Sequence, residues 1–297
     1  MKIFDCFMYF DEDVVLDVRL NFLNDFVDGF IIIESMYNHK GEKRDPLFDI
    51  DKFKKFENKI KYILIDDVPP EIEEIISNDD EKEIYRKSVF NAWKRENLQR
   101  NQISQGILNA NKEDWIMISD LDEIPDLRKV DLKKIKNKFV FFEQDMMYYK
   151  FNLKLKDYTW VGTKVCKMKN LESPQWLRDI KDRKYSWWRL DAYFSKRKYH
   201  DILFIRNGGW HFSYLKSPKG IEKKLKSYLH HIDYDLSPIG EKKIEEMMNN
   251  KKTIYNIKAD QKQNKFDGAN KLYKIDISLL PSYILRNKDK FINWIDE

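Results

Sequence analysis

Residues 115–126 read WIMISDLDEIPD. Trp115-Ile-Met-Ile-Ser119 is a short apolar run of the length and composition of a buried strand. It ends abruptly in Asp120-Leu121-Asp122-Glu123, and Pro125 stops any continuation. Upstream, three more apolar runs alternate with helical patterns. Ile3–Phe10, Gly29–Glu34 and Lys61–Ile65 read as strands. Val14–Leu23, Lys52–Phe56 and Lys82–Leu108 read as helices, the last with Ile84, Val89, Trp93, Leu98, Ile103 and Ile107 at helical spacing. Strands alternating with helices predict an α/β fold with a mostly parallel central sheet flanked by helices. Ligands of such sheets sit beyond the carboxyl ends of the strands. Attention therefore falls on Asp5, Glu34 and its loop, Asp66-Asp67, and Asp120 and Asp122.

The second half is less regular. Phe139–Phe151 reads as one long or two short strands and Ile202–Tyr214 as another, while 219–231 and 238–250 look helical and Pro281–Trp294 reads as a short packing helix. The expected organisation is one domain over 1–297, in two halves, 1–125 and 126–297, the second with C-terminal helices.

Two carboxylates emerging two residues apart at a strand end repel unless a cation joins them. Oxygen ligands suit Mg²⁺ or Mn²⁺, which would hold a diphosphate. A solvated acidic turn gives the same letters. The segment GGWHFSY (208–214) follows another apolar run. Its glycines allow close backbone approach, and His211 is a possible third metal ligand; a core strand with a hydrogen-bonded histidine reads identically. On the long helix, Arg95 and Gln99 share a face at i, i+4, whereas Arg100 and Asn101 point elsewhere.

Composition narrows the class. The chain has 297 residues, 42% hydrophobic and 35% charged, with 8 Trp, 16 Tyr and 19 Phe. That apolar share supports a core, and no run approaches the roughly 20 apolar residues of a membrane helix. The acidic DED at 11–13 argues against a signal peptide. Two cysteines build neither a disulfide framework nor a Cys-based zinc site. The expected location is cytoplasmic, or the host cytoplasm if the protein is viral. Charge is uneven: residues 1–150 carry 24 basic and 32 acidic side chains, residues 151–297 carry 31 and 18. The basic half is either a solvated lysine-rich surface or a wall facing a phosphate-bearing ligand.

In order along the chain, IFDCFMYFDEDVVLDVRLNFLNDFVDGFIIIES, the NHKGEKRDPLF loop, ENLQRNQISQGI, ISDLDEIPD and GGWHFSYL resemble glycosyltransferase family 17. That family includes the β-1,4-mannosyl-glycoprotein 4-β-N-acetylglucosaminyltransferases and many microbial and viral members. The resemblance covers about residues 2–295. It implies a GT-A fold and a metal-dependent inverting transfer of a sugar, GlcNAc in the named enzymes, from a UDP-sugar donor to a saccharide or glycoconjugate acceptor. On it, Asp120 and Asp122 are the DxD pair and His211 sits near the Mn²⁺ or Mg²⁺. Asp5, Glu34, Arg100 and Asn101 line the nucleotide pocket, and the basic stretch after Phe151 lies near diphosphate or acceptor. Unlike the animal members, this chain is expected to carry no membrane anchor.

An inverting transferase needs a carboxylate base beside the acceptor hydroxyl. Glu143 and Asp145 follow a strand; Asp179, Asp182 and Asp191 lie in the basic, aromatic region. The choice falls on Asp145 or Glu143, because strand ends place side chains more firmly than loops. Tyr185–Phe194, with Trp187, Trp188 and Arg189, is the expected acceptor surface, since aromatic faces stack on sugar rings. Alternating orientation along a strand would expose at most one of the two tryptophans. Two rival functions are a haloacid-dehalogenase-like phosphohydrolase, which also carries Asp-x-Asp after a strand, and a basic nucleic-acid-binding protein. The first lacks the usual Thr or Val two residues after the second Asp (Ile124 stands there), and the second shows no helix-turn-helix, RNP or zinc signature.

Overall fold

The computed structural model describes residues 1–229, 231–256, 266 and 270–297. Strands β1 (Ile3–Met8), β2 (Gly29–Ser35), β3 (Ile60–Ile65) and β4 (Trp115–Asp120) are the four apolar runs of the first half. They lie side by side in the order β3-β2-β1-β4, all parallel. Helix α1 (Asp13–Leu23) connects β1 to β2; α2 (Glu81–Asn101) and α3 (Ile103–Gly106) precede β4. The single helix expected over 82–108 is therefore two, parted at Gln102.

Why continuous apolar runs, rather than alternating ones, form these strands is clear from the packing. β1, β2 and β4 are buried on both faces, whereas β3, at the sheet edge, leaves Lys61 and Leu64 exposed. Phe7, Phe30, Ile32, Trp115 and Met117 point into one core with Leu16 and Leu20 of α1. Their neighbours Cys6, Ile31, Ile33, Ile116 and Ile118 point into a second core with Ile103 of α3.

Beyond β4 the sheet is mixed, which corrects the expectation of a mostly parallel one. β6 (Phe139–Tyr148) and β7 (Leu153–Lys167) form a long antiparallel hairpin, and β7 pairs antiparallel with β4. β8 (Ile202–Ile205) and β9 (Gly209–Ser213) each run parallel to β6, and β5 (Glu123–Pro125) pairs antiparallel with β9. A short β10 (Leu272–Lys274) pairs with β7. The stretch 202–214 is thus two strands. The second strand of the hairpin escaped the sequence reading because β7, LKLKDYTWVGTKVCK, carries lysines that read as a basic surface. Several are ion-paired: Lys154 with Asp145, Lys164 with Asp182, Lys167 with Glu113.

Helix α4 (Pro174–Asp179), capped by Ser173, packs Leu177 on the second core. α5 (Leu190–Tyr193) is one turn. The pattern over 219–231 becomes α6 (Pro218–Ser227) and the start of α7 (His231–Leu236), residue 230 lying outside the described residues. α6 and α8 (Gly240–Asn249) cover a third apolar cluster with Tyr148, Leu225 and Ile244. α9 (Ser282–Arg286) adds Ile284 to the first core.

Candidate active site

The residue that shapes the turn after β4 is Arg19 of α1. It is fully buried, and its guanidinium forks onto Asp5 at 2.6 and 2.8 Å. The same group donates to the carbonyls of Asp120, Leu121 and Glu123 at 2.8–3.1 Å. One cation thus satisfies three carbonyls of DLDE, and the turn exists because a planar five-donor group fits it. Asp5 is accordingly the counter-ion of Arg19, fully buried and absent from the cavity wall.

Glu34 is also off the wall. Its carboxylate accepts from Arg44 at 2.7 Å, from the amides of Leu47 and Phe48, and from the Tyr62 hydroxyl. It ties down the polar loop 35–46, and the loop brings Tyr37, His39 and Arg44 to the wall. Arg95 holds the same loop through the carbonyls of His39 and Lys40.

A cavity of about 680 Å³ opens beyond the carboxyl ends of β1 and β4, where a ligand of a parallel sheet belongs. Asp120 and Asp122 both face it. Asp120 is clamped by two guanidiniums, Arg100 at 2.9 Å and Arg178 at 3.2 Å. Burial acts to raise its carboxyl, but Arg178 and Arg100 outweigh burial and hold it below the ordinary range. Arg178 also grips Glu123, whose carboxylate in turn receives the Trp160 indole N–H at 2.6 Å and the Asp120 amide at 2.8 Å.

Asp122 meets His211 Nε2 at 3.4 Å and Lys224 Nζ at 3.5 Å. Against the burial of all three groups, the mutual attraction lowers Asp122 and raises both His211 and Lys224. His211 reaches this point because β9 pairs with β5, placing it opposite Glu123. Gly209, at φ +135°, permits that pairing, since a Cβ there would run into the Ile124 carbonyl. The paired glycines of GGWHFSY thus serve strand–strand approach, and the histidine serves the cavity.

Both contacts of Asp122 are longer than the roughly 2.7–2.9 Å of a charge-assisted bond. His211 Nδ1 is buried without a hydrogen-bond partner. Among the described residues, no group of three or more His, Cys, Asp or Glu is arranged to hold a metal alone. Mg²⁺ and Mn²⁺ are commonly held by one or two protein ligands and completed by water and substrate phosphates. Asp122 and His211 offer that set, so the donors fit such a cation.

Other expected site residues fall differently. Arg100 faces the cavity, contrary to the helix-face reading, because its i, i+4 partner Glu96 lines the same wall. Asn101 does not: its Oδ1 accepts the Gln175 amide and docks α4. Glu143 and Asp145, the expected base candidates, do not line the cavity. Met146 and Tyr148 of β6 line the cavity, and alternation turns Glu143 and Asp145 to the other face, where Asp145 pairs with Lys154 at 2.6 Å. Asp182 is bound to Lys164, and Asp191 to Arg189 and Lys198. Trp187, Trp188 and Arg189 do not line the cavity, and both tryptophans are exposed, because 185–194 is a turn and one helical turn rather than a strand.

The sequence reading missed Glu12, Glu96, Arg178 and Lys224, all on the wall. A local signal existed for Arg178, since Ser173-Pro174 marks a helix start that points the next turn at a neighbour. It also missed the aromatic side of the cavity, where Tyr148 of β6, Tyr158 and Trp160 of β7, and Tyr214 and Tyr228, just past β9 and α6, gather.

Fold and cavity together define an α/β protein with a densely charged ligand site at the carboxyl ends of its parallel strands. The sequence model of glycosyltransferase family 17 matches residues 1–295, and the chain belongs to that family. It is therefore a glycosyltransferase, acting between a sugar donor and an acceptor. Among curated proteins, none matches it. No helix among the described residues is long and apolar enough to cross a membrane.

Proposed function

We propose that the protein is a metal-dependent inverting transferase of GT-A type that moves GlcNAc from UDP-GlcNAc to a saccharide hydroxyl. The observation that carries this is the Asp122–His211 contact at 3.4 Å inside a cavity where the neighbouring carboxylate of Asp120 is already paired with Arg100 and Arg178. Asp122 and His211 would hold Mn²⁺ or Mg²⁺, which when bound neutralises charge on a departing diphosphate. Arg178, Arg100 and Lys224 present cations to the same diphosphate. The nucleoside lies toward Phe10, Tyr37 and Trp93, and the acceptor sugar rings toward Tyr148, Tyr158 and Trp160, since flat aromatic faces suit both. The GlcNAc donor follows the resemblance to the bisecting transferases.

Asp179 is the base of this reading. Of the cavity carboxylates, Glu12 and Glu96 are held by the mostly buried Lys224 and Arg100. Asp179 is held by Gln175 at 2.9 Å and by Arg197 at 3.1 Å, whose own side chain is 57% exposed. An exposed partner is exchanged for water at little cost, which leaves Asp179 to take the proton of the acceptor hydroxyl as its oxygen attacks the anomeric carbon opposite the departing UDP. Asp179→Asn is expected to lower kcat for transfer by about 10²–10⁴-fold with UDP-sugar affinity unchanged. Unaltered kcat would return the base to another carboxylate.

The whole reading is tested with a panel of nucleotide sugars, each with Mn²⁺, Mg²⁺ or EDTA, following thermal stabilisation and UDP release. Stabilisation by UDP-GlcNAc that EDTA abolishes is the expected result. Phosphate release from simple phosphomonoesters without an acceptor, or stabilisation indifferent to EDTA, would overturn it.

A further inference from the structure

The excursion between α4 and β8 displays five large apolar side chains to solvent: Trp187 (76% exposed), Trp188 (63%), Leu190 (69%), Tyr193 (61%) and Phe194 (90%). Scattered exposed apolar residues are ordinary, but a contiguous group of this size marks a contact surface. The segment is built rather than trailing. The Lys181 amide donates to the Arg197 carbonyl at 2.8 Å, the Trp176 indole to the Lys196 carbonyl at 2.8 Å, and Tyr193 lies on His200 with ring centroids 4.4 Å apart. None of the five lines the cavity.

The charges around them are of one sign. Residues 181–198 hold Lys181, Arg183, Lys184, Arg189, Lys196, Arg197 and Lys198 against Asp182 and Asp191. Both acids are already neutralised, Asp182 by the buried Lys164 and Asp191 by Arg189 and Lys198. Among the described residues, Lys181, Arg183, Lys184 and Lys196 have no carboxylate partner.

We propose that residues 181–198 form a docking surface for an anionic lipid bilayer, with Trp187, Trp188, Leu190 and Phe194 entering the interfacial layer and the lysines and arginines facing lipid headgroups. Trp and Tyr favour that layer because one part of the ring system is apolar and the other hydrogen-bonds. Stable peripheral binding takes two signals, apolar insertion and a polybasic patch, and both are here. Nucleic acid is the lesser fit, since Leu190 and Phe194 offer it only a desolvation cost. The patch adjoins the cavity mouth: Arg197, at its edge, bridges to Asp179 on the cavity wall. A bilayer held there lies beside the acceptor side of the site.

The test is cosedimentation of the full chain with vesicles of phosphatidylcholine alone and with roughly one-third phosphatidylserine. Binding is expected to the anionic vesicles only, weakening as salt rises. Trp187→Ser/Phe194→Ser should weaken it at least about tenfold through lost apolar insertion, and Lys181→Glu/Lys184→Glu by about 25-fold or more, at about fivefold or more per reversed cation. UDP release in solution should be unchanged in both, which also separates this proposal from the donor and metal assignments. Absence of vesicle binding, or equal binding to neutral vesicles unaffected by the variants, would overturn the proposal. So would self-association by light scattering that the serine variant abolishes, or duplex DNA binding lost in both variants.

Discussion

Asp122→Ala is expected to abolish sugar transfer and metal-dependent UDP binding while the protein still folds. Asp122 is 8% exposed, and its partners His211 and Lys224 approach no closer than 3.4 and 3.5 Å. Its carboxylate therefore contributes little through tight hydrogen bonds, and its loss leaves Lys224 still paired with Glu12 at 3.2 Å. The fold should tolerate the change. The chemistry should not: losing a residue that merely orients a metal ligand costs about 10–100-fold in affinity or activity, and Asp122 is the ligand itself in the proposed site. Isothermal titration with UDP and Mn²⁺ is the direct measurement, with circular dichroism as the control for folding. Wild-type affinity for UDP–Mn²⁺ in Asp122→Ala would end the metal assignment. Asp120→Asn makes a useful contrast. It weakens a clamp between two guanidiniums, so it should disturb the positions of Arg100 and Arg178 as well as activity.

The largest effect on stability is expected at Arg19. Arg19→Met keeps an unbranched apolar stem but removes every donor. The Asp5 carboxylate is then buried without a counter-ion, and the carbonyls of Asp120, Leu121 and Glu123 lose their partner. Breaking one side of a buried ion pair costs about 3–5 kcal/mol, and each stranded carbonyl adds to that. Against a typical total of about 5–15 kcal/mol, the variant should unfold about 10 °C or more below the wild type, if it accumulates folded at all. Arg19→Lys should recover only part, since an ammonium cannot fork onto Asp5 and reach three carbonyls together. Asp5→Leu combined with Arg19→Met should be less damaging than the sum of the single changes, because the stranded charge is gone. Denaturant melts of the four variants measure this. Additive effects, or a loss below about 1 kcal/mol for Arg19→Met, would show that Arg19 does not organise the turn.

How far the primary structure went can be judged element by element. The strands β1 to β4 and the connecting helix α1 were legible because each strand is a short, nearly continuous apolar run, and such a run needs no partner to be recognised. Asp120 and Asp122 were legible because they follow such a run at once, whereas His211 stands inside β9 and comes to the cavity only through the pairing of β9 with β5. The hairpin β6–β7 was only half legible. Its second strand carries lysines whose charges are matched by Asp145, Asp182 and Glu113, and those partners lie at varied distances along the chain.

By itself, then, the sequence determined the α/β class, the four parallel strands and the strand-end carboxylates, since each rests on local apolar periodicity or on a residue one step beyond it. It also determined family membership, through motifs spread over nearly the whole chain. Only the tertiary structure decided which charged groups meet. It gave Asp5 to Arg19 and Glu34 to Arg44, turned Glu143 and Asp145 away, and carried Arg178 and Lys224 to the aspartates across separations of 58 and 102 residues. The physical reason is that a charge is placed by its partner. A buried carboxylate goes where a cation compensates its lost hydration, and the address of that cation is written in the packing of other elements.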